Sequence, residues 1–95
     1  MRTRLSIDPF SAETFNCFGY HLRLNVKSDY PVDVWVVPSR GDAELIMEGG
    51  NFSYYSNMSR QRTTSFSASG SVSPGSQVVF ANRNSFRVDV EVWSD

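Results

Sequence analysis

The sequence predicts an all-β protein: an antiparallel β-sandwich of about seven strands, jelly-roll-like, with one short helical turn. Three observations predict it. Phe86 to Trp93 alternates apolar and polar residues without a break, the period of a strand with one face buried. The same alternation recurs in Gly19–Lys27, Val32–Val37 and Arg60–Ser69. Between these runs lie clusters of Ser, Pro, Gly, Asn and Asp at near-regular spacing, and loops mostly shorter than about 12 residues favour antiparallel neighbours over βαβ crossovers.

Each element follows from its residues. Leu5 and Ile7 alternate with Arg4, Ser6 and Asp8, and Pro9 then removes a backbone donor, so the first strand is short and at an edge. Phe10 to Phe18 is irregular, a loop that tucks Phe10, Phe15 and Phe18 under the sheet. In Gly19–Lys27, Leu22, Leu24 and Val26 share one face; His21, Arg23, Asn25 and Lys27 share the other. Ser28-Asp29-Tyr30-Pro31 is turn chemistry. Val32, Val34 and Val36 then share a face, opposite Asp33 and Trp35. Ser39–Gly50 carries helix signals: Asp42 as N-cap, good formers at Ala43, Glu44, Leu45 and Met47, and Gly49-Gly50 as a stop. That helix has at most about two turns, and the alternative is a loop with Leu45–Met47 extended. Asn51–Met58 is a turn or irregular crossover, Arg60–Ser69 a strand, and Gly70–Gly75 a turn. Ser76–Trp93 closes the chain as two strands joined by a tight turn at Asn82-Arg83-Asn84. The expected core is Leu22, Leu24, Val26, Val32, Val34, Val36, Phe66, Val78, Phe80, Phe86, Val88, Val90 and Val92.

At 95 residues the chain is a single domain, 1–95, large enough for a modest core. Its formal net charge of −1 lacks the basic excess that meets duplex nucleic acid or an anionic membrane, so neither is an expected partner. The same near-neutrality gives little protection against self-association, which points to a homo-oligomer or a protein partner. A lone cysteine, Cys17, permits no internal disulfide and fits a reducing compartment. The residues after Met1 form no apolar leader, and no run is long enough to span a bilayer; the cytoplasm is the expected location.

No constellation of catalytic residues emerges. His21 and Cys17 are the only histidine and thiol, four residues apart, about 13 Å along a strand. One His and one Cys cannot close a zinc site, and the acids are dispersed without calcium-loop spacing. No cofactor is expected, and the protein is read as non-enzymatic. Asp89 and Glu91 share a polar face with Arg87 and suit cross-strand pairing with Arg23 or Lys27. Arg40-Gly41-Asp42 spells an adhesion tripeptide, with Asp42 explained by the helix cap.

Aromatic residues are the material left for binding. Trp35 and Trp93 both alternate onto the polar side of their strands. Either that side is covered, by Phe10–Phe18 or the Tyr54–Tyr55 loop, or the indoles anchor a partner or stack on a sugar. Tyr54 and Tyr55, followed by Arg60 and Arg62, form the most aromatic and basic neighbourhood, residue types enriched at binding hot spots. The candidate partner-binding set is Trp35, Trp93, Tyr54, Tyr55, Arg60 and Arg62.

Four segments carry a family resemblance: Val32–Val37, Asn51–Tyr55, Ser73–Asn82 and Val88–Val92. Together they resemble the strand order of small GOLD-like sandwiches. They are also similar to pre-peptidase C-terminal modules, in which a proline-glycine, apolar strand, asparagine segment precedes the last strand. The resemblance covers residues 20 to 93. It implies a non-catalytic module that binds proteins or supports an attached enzyme. The expected function is therefore a protein-interaction or assembly module; the alternative is a carbohydrate- or small-ligand-binding module.

Overall fold

The computed structural model describes residues 2–17 and 19–94. Its elements are β1 (Arg2–Ile7), β2 (Ser11–Asn16), β3 (His21–Val37), α1 (Arg40–Glu48), a 3₁₀ turn at Ser56–Met58, β4 (Arg60–Ser71), β5 (Gln77–Asn82) and β6 (Val88–Ser94). The strands form one antiparallel sheet in the order β1-β6-β3-β5-β2, with β4 also on β3. The all-β expectation with one helix holds. Six strands stand among the described residues rather than about seven: the expected turn at Ser28–Pro31 runs inside a single 17-residue strand, while the expected loop at Phe10–Phe18 gives strand β2 and leaves Phe10 exposed rather than tucked under the sheet. Phe18, expected in the aromatic loop, lies outside the described residues. No described helix is long and apolar enough to cross a membrane.

The expected terminal hairpin is absent. β5 faces Asp33–Val37 and β6 faces Leu24–Ser28, both antiparallel to β3. The two therefore lie end to end along one edge of β3 instead of folding back on each other. Nine residues separate Ala81 from Val90 while five separate their partners Asp33 and Ser28, so four residues are looped out between the strands. β1 pairs with β6 and β2 with β5, so β1 and β2 also run end to end. β4 takes the opposite edge of β3. The sheet is thus four long rods: two are interrupted, at Asp8–Phe10 and Arg83–Arg87, and the other two, β3 and β4, shift register between Lys27 and Val34.

One buried side chain ties these interruptions together. Asn82 is wholly inaccessible, and its amide donates to the carbonyls of Ile7, Asp8 and Phe86 at 2.9–3.2 Å. Its Oδ1 accepts from Asn84, whose own amide reaches the Pro31 carbonyl at 2.8 Å. Asp33, also buried, accepts from the Arg62 backbone N–H at 2.9 Å and from Arg83 Nε at 3.0 Å. Arg62 has a positive φ of 50°, unusual for an arginine, and that bond helps hold it there. The Asn82-Arg83-Asn84 segment thus bonds to the β1, β3 and β6 rods directly and reaches β4 through Asp33.

The sheet curls around one continuous core. Ile7, Leu22, Leu24, Val26, Val32, Val34, Val36, Met58, Phe66, Val72, Val78, Phe80, Val88, Val90 and Val92 share it. Twelve of the thirteen expected core residues are buried. The exception is Phe86, which is 43% exposed and meets Tyr30 edge to face at 4.8 Å. Asn82 holds the Phe86 carbonyl in the loop, so β6 starts two residues later, at Val88. A second cluster lies on the sheet's back, where Trp35, Val37, Val79 and Ala81 meet Ile46 of α1. β5 is therefore buried on both faces, which explains why its sequence does not alternate.

The helix is N-capped by Ser39 rather than by the expected Asp42. Ser39 Oγ accepts from the Asp42 N–H at 3.2 Å, the N-cap bond, and donates to the Asp42 carboxylate at 2.8 Å. Gly49, at φ 78°, ends the helix as expected. Burial of Ile46 contributes about 2 kcal/mol to holding α1 on the sheet.

Candidate interaction surface

The expected contact residues separate into different environments. Trp35 is 7% exposed and stacks edge to face on Phe52 and Tyr54, at 5.1 and 4.9 Å between ring centres. Its indole N–H has no acceptor among the described residues. Of the two readings of Trp35, the covered face describes it: α1 and the Phe52–Tyr54 segment form the cover. Tyr54, about half exposed, is the outer ring of that stack. Tyr55 packs on the inner core, and its hydroxyl accepts from the Ser73 N–H at 2.9 Å. Trp93 lies on the other limb of the sheet, half-buried, with the Arg2 guanidinium 5.5 Å above its ring. Arg60 covers Phe66 at 5.5 Å. Trp35, Tyr54 and Phe52 come together; Trp93 and Tyr55 do not join them.

Around Trp93 the outer face of β1, β6 and β3 is a polar lattice set by register. Arg4, Glu91, Lys27 and Ser65 form one row; Arg2, Trp93, Asn25 and Ser67 form the next. Glu91 pairs with Arg2 and Arg4 of β1, in place of the expected Arg23 or Lys27. Asp89 accepts from Ser6 Oγ at 2.6 Å, and Arg87 pairs with Asp8 at 3.0 Å. On this face Arg2, Arg4 and Glu91, and Ser6 and Asp89, thus satisfy one another.

The sheet has two open edges, the outer side of β1 and β2 and the far side of β4. A strand in the interior of a sheet has neighbours on both sides, but β4 pairs only with β3. The Val72 N–H donates to the Tyr20 carbonyl at 2.9 Å, which fixes the ladder's phase. Hydrogen-bonded pairs alternate in an antiparallel ladder, so Phe66, Ala68 and Gly70 bond to Val26, Leu24 and Leu22. Ser65, Ser67, Ser69 and Ser71 then direct their backbone groups away from β3. Thr63 Oγ1 engages both the N–H and the carbonyl of Ser65, at 3.2 and 2.7 Å, which confirms the phase and seals that end. At the other end the Ser73 N–H is held by Tyr55. The window between contains the backbone groups of Ser67, Ser69 and Ser71, all exposed. From Thr63 to Ser71 there is no charge and no proline, the two common devices for blunting an edge. A Cβ at Gly70 would stand 3.2 Å from Met58 Sδ, tighter than an ordinary contact.

The molecule also has a cleft of about 570 Å³ at the open end of the curl, lined by Phe15, Cys17, Leu22, Leu24, Val78 and Val92 among others. Burial pushes the Cys17 thiol above its ordinary pKa, so it is a poor thiolate. His21 is exposed on the outer face of β3, opposite Ser71. Among the described residues no group of three His, Cys, Asp or Glu side chains could hold a metal ion.

No protein-family profile matches the chain, and no curated protein matches it.

The β4 edge was not singled out by sequence reasoning. Its signal was present: serines at 65, 67, 69 and 71 in a strand-like run without a single charge.

Proposed function

We propose that the protein is a non-enzymatic interaction or assembly module that accepts an extended strand along β4. The observation that carries this reading is the window of unpaired backbone groups at Ser67, Ser69 and Ser71, in a stretch from Thr63 to Ser71 with neither charge nor proline. Strand addition takes its affinity from such backbone bonds and its register from the flanking side chains. Arg60 and Arg62 at the head of β4 and the half-exposed Tyr54 supply side-chain contacts nearby. The bent sheet folds over one core, which supports reading it as a small sandwich of the GOLD-like or pre-peptidase C-terminal kind. A reducing compartment such as the cytoplasm suits the lone, half-buried thiol.

Purification of the tagged chain from its native source tests the reading. The wild type is expected in an assembly larger than the free chain, from which Ser69→Pro is released. A wild type that emerges with no co-purifying chain and stays a strict monomer when concentrated contradicts it.

The cleft favours a second reading, a small-ligand module. Its apolar lining suits an apolar molecule, whereas Trp35 is covered and Trp93 lies under Arg2, leaving the sugar platform little open ring. An apolar reporter dye should brighten on binding and lose its site when Cys17 is alkylated. No enhancement removes this alternative.

A further inference from the structure

We propose that the strand added to β4 is the β4 of a second copy, paired antiparallel about a two-fold axis at Ser69. This deepens the interaction-module reading and rests on it. The open window is itself symmetric. Ser65 is sealed by Thr63 and the Ser73 N–H by Tyr55, so only Ser67, Ser69 and Ser71 offer backbone groups, and Ser69 is their centre. An antiparallel copy placed there sets Ser69 against Ser69, and Ser67 against Ser71 in both directions. Each opposed pair exchanges both of its N–H···O=C bonds.

The side chains agree with that register on both faces. On the outer face only serines meet. On the inner face Ala68 meets Gly70 and Phe66 meets Val72, small against small and apolar against apolar. No charged residue lies between Thr63 and Val72, and the Arg60 guanidinium over Phe66 is kept from its counterpart by the six residues from Phe66 to Val72, about 20 Å along the strand. The nearest cation, Arg23, sits one strand in, opposite Ser69. Its counterpart in the second copy would be about 14 Å away, three strand spacings, beyond the screening length of physiological salt.

The opposite edge offers no such match. β1 carries Arg2 and Arg4, and Pro9 with the Phe10 turn interrupts the line before β2. Self-pairing there would oppose like charges or lose donors. A short strand-to-strand contact is a small interface, so the dimer forms in proportion to concentration and is not an obligate one.

Sedimentation of the isolated protein from micromolar to millimolar concentration tests the pairing, beside two variants. The Ser69 N–H faces away from β3, so Ser69→Pro removes no bond of the existing ladder. The wild type is expected to pass from monomer to dimer. Folded Ser69→Pro is expected to need at least about tenfold more protein to do so. A Ser69→Cys, Cys17→Ala chain should cross-link to a dimer with a short bis-maleimide, which spans the gap of about 5.5 Å between opposed positions of a hydrogen-bonded pair. If Ser69→Pro fails to fold, the cross-link decides. A wild type that stays monomeric throughout, a dimer that survives Ser69→Pro, or a Ser69→Cys chain that does not cross-link overturns the pairing. If the native assembly still loses its partner on Ser69→Pro while the isolated chain stays monomeric, the self-pairing fails and the module reading stands.

Discussion

Asn82 shows how much a single polar side chain can organise. It is wholly buried, yet both ends of its amide are used: the NH₂ donates to three carbonyls, and Oδ1 accepts from Asn84. A buried amide left without partners costs stability, so its bonds matter more for being complete. Asn82→Asp keeps the size and reverses the chemistry, setting a carboxylate against the carbonyls of Ile7, Asp8 and Phe86. Urea unfolding should show a loss of about 3 kcal/mol or more; a loss within 0.5 kcal/mol or so, the range of an ordinary surface change, would mean the corner does not depend on it. This role was not legible in the sequence. Asn-Arg-Asn between two apolar runs is good turn chemistry, and nothing local distinguishes a turn that reverses the chain from a loop that lets it run on. What decides is a carbonyl 75 residues away.

Among the elements, alternation revealed strands well and strand neighbours poorly. The inward valines of β3 and β6 follow directly from period two, and the serine-threonine run of β4 is likewise a strand. The back of the β3–β5 limb misled because α1 covers it, so Trp35 reads as polar-side by position and is buried in fact. The helix that covers it has a pH-sensitive start. Asp42 accepts from the Ser53 N–H and from the Ser39 hydroxyl, and these bonds, the Ser53 one foremost, hold its carboxyl below the ordinary carboxylate range. A depressed folded pKa gives stability that is complete above the ordinary carboxyl value, near 4, and lost as pH falls through the folded value. Acid titration should therefore loosen the Phe52–Tyr54 cover below about pH 4, seen as a change in tryptophan emission. Asp42→Asn should flatten that transition; an unchanged curve would show that another group drives it.

For the whole molecule, the consequence of four bent rods is a sheet with two dissimilar edges. One carries arginines, a proline and a turn; the other, from Thr63 to Ser71, is uncharged and serine-lined. The composition foretold a protein short of charge and apt to associate, but composition cannot say where. The location follows from the ladder's phase, which puts alternate residues of β4 on opposite sides of one strand. Amide hydrogen exchange in dilute solution reads that phase directly. Phe66, Ala68 and Gly70, bonded to β3, should be protected, while Ser67, Ser69 and Ser71 exchange fast. Protection of both sets in the monomer, or an alternation of the opposite sense, would contradict the open edge on which the function rests.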